Sequence, residues 1–264
     1  GNLTAIKHSQ NYGTIASGTR GIFASTINLA PAYSPESIDY FTIATTGNAL
    51  DFGNLPNNTN YNYASLSSST RGVLTANGQG AMTMQYITIA SAGNSVDFGN
   101  QYANQTSSAG LASPTRGVTG GGYLSGFSSG MEYLTIASTG NGTNFGNLTV
   151  GRRSLMGLST NTRGIFAGGA SSGSITSNVY DYISIASTGN ASDFGDMTVA
   201  SLASGGLSDT TRGVIGGGST LNEQPMNRIE YITVASTGNG TDFGDLLVAA
   251  NKISATSNGH GGLS

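Results

Sequence analysis

The sequence predicts an all-β fold assembled from repeated four-stranded antiparallel units. Three observations carry that expectation. A phrase typified by Tyr231-Ile232-Thr233-Val234-Ala235-Ser236-Thr237-Gly238-Asn239, closed by Asp242-Phe243-Gly244, recurs from Tyr40, Tyr86, Tyr133 and Tyr182. A second phrase, Thr-Arg-Gly, precedes each copy and places Arg20, Arg71, Arg116, Arg163 and Arg212 at spacings of 51, 45, 47 and 49 residues. Within each copy the aliphatic residues alternate, as in Tyr182-Ile183-Ser184-Ile185-Ala186, which is the period of a strand rather than a helix. A repeat of this size cannot bury its apolar faces alone, so the copies must pack on one another.

Each copy resolves into four strands, here called a to d. In the fourth copy, Leu155 to Ser159 reads as a, Gly164 to Ala167 as b, Val179 to Ser187 as c and Ser192 to Met197 as d. The a–b connection is the tight Asn161-Thr162-Arg163-Gly164 turn. The c–d connection is Ser187-Thr188-Gly189-Asn190, whose Gly-Asn pair is expected to supply the positive φ of a hairpin. Four antiparallel strands every ~48 residues form a blade, and radial repetition of blades gives a β-propeller. The repeats fall at about 9–55, 62–101, 108–149, 155–197 and 204–246, with a partial sixth at 253–264, within a single domain. Gly1-Asn2-Leu3 matches Gly53-Asn54-Leu55, the end of a strand d, and His260 stands in the Arg place of the partial copy. Five-bladed and six-bladed rings both stay open, and so does a fragment of a longer array.

Strand b closes in small residues, as in Phe166-Ala167-Gly168-Gly169 and Ile215-Gly216-Gly217-Gly218. With Tyr182 in the next strand and Phe194 in the fourth, the text resembles a kelch-like repeat. It departs from that pattern in having no Trp and no Gly pair in Phe23-Ala24-Ser25-Thr26. The wording is also similar to repeats in structural proteins of marine phages and bacteria. That resemblance implies a virion or extracellular protein, and it does not imply an activity.

Composition narrows the function classes. Only 9% of residues are charged, and the net charge is -3. With two Lys and eight Arg, phosphate neutralisation along a nucleic acid is not expected. No apolar run reaches the ~18 residues of a membrane span, and no signal peptide is visible. The absence of Cys excludes disulfides and thiolate zinc sites.

Comparison among the copies locates variation. The a–b and c–d turns are nearly constant, whereas the b–c and d–a connections differ, and these emerge together on one side of the disc. That side carries Tyr33, Tyr61, Tyr102, Tyr123 and Phe127, the candidate binding residues for a surface glycan or a protein subunit of a larger particle. The alternative is that these aromatics cap the mouth or pack on neighbouring blades. The five repeated Arg, with Phe52, Phe98, Phe145, Phe194 and Phe243, read as structural, each Arg bridging a carboxylate or turn carbonyls. The acids Asp39, Glu132, Asp181 and Glu230, and the second series Asp51, Asp97, Asp193 and Asp242, recur in register, unlike a single catalytic pair.

Other chemistry is weaker. Asp-Phe-Gly lacks every companion motif of a kinase. Gly120 to Gly122 and Gly216 to Gly218 precede no helix, so they do not form phosphate loops. The run at 238–245 could offer oxygens to calcium, which needs six to eight in converging geometry, and His8 and His260, the only histidines, lie in or near the terminal partial copies. No cofactor, metal site or catalytic residue is therefore expected. The function expected is non-catalytic: a binding or structural propeller of a phage tail, fibre or extracellular appendage. Alternatives are a polysaccharide-active enzyme using the non-repeated Glu36 and Glu223, or a purely architectural spacer. Homo-oligomer and longer parent chain both remain open.

Overall fold

The structure is a computed structural model, and it describes residues 2–4, 13–25, 37–56, 64–75, 82–173 and 175–257. Every regular element among them is a strand. The first sheet is β1 (Gly13–Ala16), β2 (Arg20–Ser25), β3 (Ser37–Thr42) and β4 (Leu50–Asn54), paired in that order. The second is β5 (Ala64–Ser67), β6 (Arg71–Thr75), β7 (Thr83–Thr88) and β8 (Val96–Asn100). The third is β9 (Ala109–Ala112), β10 (Arg116–Gly120), β11 (Gly130–Thr135) and β12 (Thr143–Asn147). After β13 (Arg152–Arg153), the fourth sheet joins β14 (Met156–Ser159) and β15 (Arg163–Ala167) to β18 (Val179–Ser184) and β19 (Ser192–Asp196). Between them, β16 (Ala170–Ser171) and β17 (Ile175–Thr176) pair with β13 in a small three-stranded sheet. The fifth sheet is β20 (Gly205–Ser208), β21 (Arg212–Gly216), β22 (Met226–Thr233) and β23 (Thr241–Ala250). This all-β, multi-blade architecture fits a β-propeller.

Strands a, b and d of the fourth copy lie within a residue or so of the expected positions, and strand c ends three residues early, at Ser184. The a–b turn is closed by a side chain. Ser17, Ser68, Ser113 and Thr160 accept the backbone N–H of the Arg three residues on at 3.1–3.2 Å. Asp209 does the same at 2.7 Å, and these bonds hold its carboxyl below the usual range. Residues with a short polar side chain at this position satisfy turn N–H groups that no strand partner reaches.

The c–d connection corrects an expectation. Its Gly-Asn pair does not make a positive-φ hairpin corner: Gly47, Gly93, Gly140 and Gly238 are not in the left-handed region, and Gly189 at 159° is almost extended. The positive φ belongs instead to the Gly of Asp-Phe-Gly (Asn-Phe-Gly in the third copy), at 139° to 147° in all five copies. Asp39 pairs with Asp51 and Ile38 with Gly53, so Phe52 is the extra residue of a β-bulge, repeated at Phe98, Phe145, Phe194 and Phe243. A Cβ at Gly53 would lie 2.3 Å from the Gly93 carbonyl oxygen of the next copy, so the bulge needs Gly for close approach as well as for φ.

The core lies between successive blades. Ile15, Ile22, Ile38 and Phe52 of the first copy cluster with Leu74, Ile87 and Ile89 of the second. The later copies repeat this pattern, as with Met156 and Leu158 against Ile232 and Val234. On strand c the alternating aliphatic face is buried in copies two to five, from Ile87 and Ile89 to Ile232 and Val234. Ile43 of the first copy departs from this and is 51% exposed.

The first strands of successive copies pack side by side around an axial channel of about 180 Å³. Gly110 and Gly157 sit so close to the preceding strand that a Cβ would meet carbonyl oxygens of Ser65 and Gly110 at 2.5 and 2.4 Å. Residues 253–257 lie between β20 and β1. Ser208 donates its N–H to Ser257 Oγ, and Thr14 Oγ1 donates to the Ala255 carbonyl, both at 2.9 Å.

Candidate binding face

The repeated Arg, Tyr and Phe form one column per blade. The guanidinium of Arg20 lies 4.6 Å over the Tyr40 ring, and Tyr40 meets Phe52 edge-on at 5.9 Å. The same column is Arg71–Tyr86–Phe98, Arg116–Tyr133–Phe145, Arg163–Tyr182–Phe194 and Arg212–Tyr231–Phe243. Each of the first four Arg also donates to the next copy: Arg20 to the Ile89 carbonyl, Arg71 to Ile136, Arg116 to Ile185 and Ala186, and Arg163 to Val234 and Ala235. Of the two partners expected for these Arg, the structure gives the first four carbonyls between blades, and among the described residues no guanidinium of the five pairs with a carboxylate.

The buried acids serve a different contact. Thr4 donates its N–H and hydroxyl to Asp39, Thr149 to Asp181 and Thr198 to Glu230, the last two from the second residue after a strand d. Tyr102 donates its N–H to Glu132 from the same kind of position. These carboxylates are therefore committed to holding successive blades together. Asp51, Asp97, Asp193 and Asp242 are exposed.

Two of the buried acids have cations that sequence reasoning did not single out. Arg152, fully buried, pairs with Asp181 at 2.5 Å and donates to the carbonyls of Gly168 and Val179. Burial lowers its pKa, and the Asp181 charge opposes that fall. Arg228 pairs with Glu230 at 2.8 Å, and the Tyr180 hydroxyl donates to the same carboxylate. Burial, followed by the Glu230 charge, pushes Tyr180 up. The available signal was that Arg152 and Arg153 stand between copies with no counterpart in the others.

Glu132 has no basic partner among the described residues. It accepts from Tyr102 N–H and Thr119 Oγ1, and burial outweighs these bonds to raise its pKa from 4.5. It borders a cavity of about 150 Å³ with Tyr102, Gln105, Asn144 and Asn147.

The variable connections of the third to fifth copies carry bridges of their own. Thr106 bridges to Tyr123, and Tyr123 to Phe127, in the third copy; Leu202–Ser219–Pro225 repeats this in the fifth, and β13–β16–β17 is the same arrangement in the fourth. Tyr123 and Phe127 meet edge-on at 5.4 Å, with the Arg153 guanidinium 5.4 Å over Tyr123 and 5.8 Å over Phe127. Gln105, on the cavity wall, donates from Nε2 to Ser128 Oγ at 2.6 Å, which joins the cavity to this aromatic group. Tyr102 is 60% exposed, Tyr123 is exposed and Phe127 is half-buried. Of the five expected binding residues, Tyr123 and Phe127 are in contact, and Tyr102 lines the cavity that Gln105 joins to them. Tyr33 and Tyr61 lie outside the described residues, as do Glu36, His8 and His260. Glu223 is 72% exposed and pairs with Lys252 at 3.4 Å. Among the described residues lining the axial channel, Lys252 alone is charged.

No protein-family model matches the chain, and no curated protein matches it.

Proposed function

We propose that the protein is a non-catalytic binding propeller of kelch-like blades, acting as a structural part of a phage tail, fibre or other extracellular appendage. Its ring has six blade positions, five of them complete, and its variable face engages a surface glycan. The blade count rests on residues 253–257, which make first-strand contacts to both β20 and β1. The phage setting rests on the repeat wording alone.

One observation carries the glycan reading. The exposed Tyr102 lines an amide-lined cavity, and Gln105 on its wall ties it through Ser128 to the Tyr123–Phe127 pair, which bridged connections hold. Sugar rings present apolar C–H faces that pack on aromatic planes, and hydroxyls that need donors and acceptors such as Gln105, Asn144, Asn147 and Glu132. A rigid support lowers the entropy lost on binding. The commitment of Asp39, Asp181 and Glu230 to contacts between blades supports a binder over a hydrolase. A neighbouring subunit is the second reading, favoured by Leu124 and Ile175, both exposed on the same face.

The test is binding of the protein to host cell-surface polysaccharide, compared with a Tyr102→Ala, Tyr123→Ala variant. Saturable binding that the variant loses, with the thermal midpoint unchanged, is expected. Undiminished binding by the variant would overturn the assignment of this face. Depolymerisation of the polysaccharide would overturn the non-catalytic reading.

A further inference from the structure

Successive blades are joined by one repeated clasp. In the c–d turn of each following copy, Gly N–H donates to the carbonyl of the bulge Phe in the preceding strand d. The pairs are Gly93 to Phe52, Gly140 to Phe98, Gly189 to Phe145 and Gly238 to Phe194, at 2.6–2.8 Å. The adjacent Asn accepts through Oδ1 from the backbone two residues after that Phe: Asn94 from Asn54, Asn141 from Asn100, Asn190 from Asn147 and Asn239 from Asp196, at 2.9–3.0 Å. Asn48 of the first copy accepts in the same way from Asn2.

The fifth copy presents every group of this clasp with nothing on it among the described residues. Phe243 is 54% exposed, whereas Phe52, Phe98, Phe145 and Phe194 are 2–3% exposed. A Cβ at Gly244 would meet nothing within 4 Å, whereas its four counterparts touch the next copy. Arg212 stacks on Tyr231 but has no carbonyl acceptor in a following blade, unlike Arg20, Arg71, Arg116 and Arg163. Leu247, in the place from which Thr149 and Thr198 reach a buried acid, is fully exposed.

We infer that this edge, from Arg212 to Phe243–Leu247, is a docking site for a polypeptide hairpin carrying the repeat's own c–d text. The partner presents a strand with an acid or Gln in its buried register, then Ala-Ser-Thr-Gly-Asn in its turn. The turn Gly donates to the Phe243 carbonyl, and the Asn side chain accepts the Asp245 N–H. The carbonyls ending its strand c accept from Arg212, its acid accepts the Leu247 N–H, and its aliphatic face covers Phe243. The four occupied interfaces in the same molecule specify these pairings; the acid's is shown by three of them, since Pro56 stands in the Leu247 place at the first.

The experiment adds a synthetic peptide of residues 178–196 to the isotope-labelled 26.6 kDa chain and follows amide and guanidinium resonances. Saturable one-to-one binding that shifts Gly244, Asp245 and the Arg212 side chain is expected. Replacing Asn190 by Ala in the peptide, or Arg212 by Ala in the protein, should weaken it about tenfold. Because isolated hairpins are marginally stable, a second arm fuses residues 178–194 directly before Gly1. That join completes the Asp-Phe-Gly text and should raise the thermal midpoint and protect the Asp245 amide. The inference is overturned if neither arm changes the Asp245 resonance. It is equally overturned if the chain pairs with itself there, seen as a dimer that Phe243→Lys abolishes.

Discussion

Asn239 Oδ1 accepts the backbone N–H of Asp196 at 3.0 Å, and through that bond the turn of one blade fastens to the outer strand of the blade before it. The contact recurs at Asn94, Asn141 and Asn190. The repeated Gly-Asn text is thus an instruction for joining blades, and its cost when removed should be that of one exposed neutral hydrogen bond. Asn190→Ala is expected to lower unfolding stability by about 1 kcal/mol, read from urea titration at constant m-value.

The repeated Arg should not be equivalent. Arg163 combines a ring contact to Tyr182 with two carbonyl bonds to the fifth blade, whereas Arg212 has the ring contact to Tyr231. An exposed cation–π contact contributes about 0.5–1 kcal/mol, and a hydrogen bond to a charged group about 1.5–3 kcal/mol. Arg163→Ala should therefore destabilise the chain clearly more than Arg212→Ala, by calorimetry or urea titration. Equal losses would mean that the carbonyl bonds contribute nothing.

Arg152 and Asp181 form a fully buried pair, and removing one partner leaves the other charge uncompensated. Arg152→Met is expected to cost about 3–5 kcal/mol. Adding Asp181→Asn should recover part of that loss, because the remaining groups are neutral and Thr149 still has an acceptor.

Glu132 makes stability depend on pH. Its folded pKa lies above the unfolded value, so within that window the folded state holds more protons than the unfolded state. Stability contributed at this site therefore falls as pH rises from about 4.5 through the folded pKa, and then levels off. Gln85 occupies the same register in the second copy. Glu132→Gln should accordingly remove the fall while keeping an acceptor for Tyr102 N–H, which urea titrations across this pH range can measure.

Much of the fold was legible because the repeat constrains it five times over. Alternation along Tyr182-Ile183-Ser184-Ile185 gave strand c, and the Thr-Arg-Gly phrase gave the turn that leads into strand b. The Gly-Asn pair misled because its text matches a hairpin corner; the position that needs Gly is the bulge, where a Cβ at Gly53 would meet the Gly93 carbonyl of the next blade, a contact only the assembled blades create. The same limit hid the acids' role, since Thr149 and Asp181 lie 32 residues apart. The candidate face was legible only as variation. Tyr102, Tyr123 and Phe127 stood out as aromatics on irregular connections, but Arg153 over the Tyr123 and Phe127 rings is a product of bridges that the sequence does not announce.

Hydrogen exchange tests most directly the claim that identical clasps join the blades and that one place for a further hairpin stands open. Asp196 and Asp245 occupy the same position in consecutive copies, and only the first has an Asn acceptor. The account predicts slow exchange at Asp196, Asn147, Asn100 and Asn54 and rapid exchange at Asp245 in the chain alone. Equal protection at Asp196 and Asp245 would contradict it.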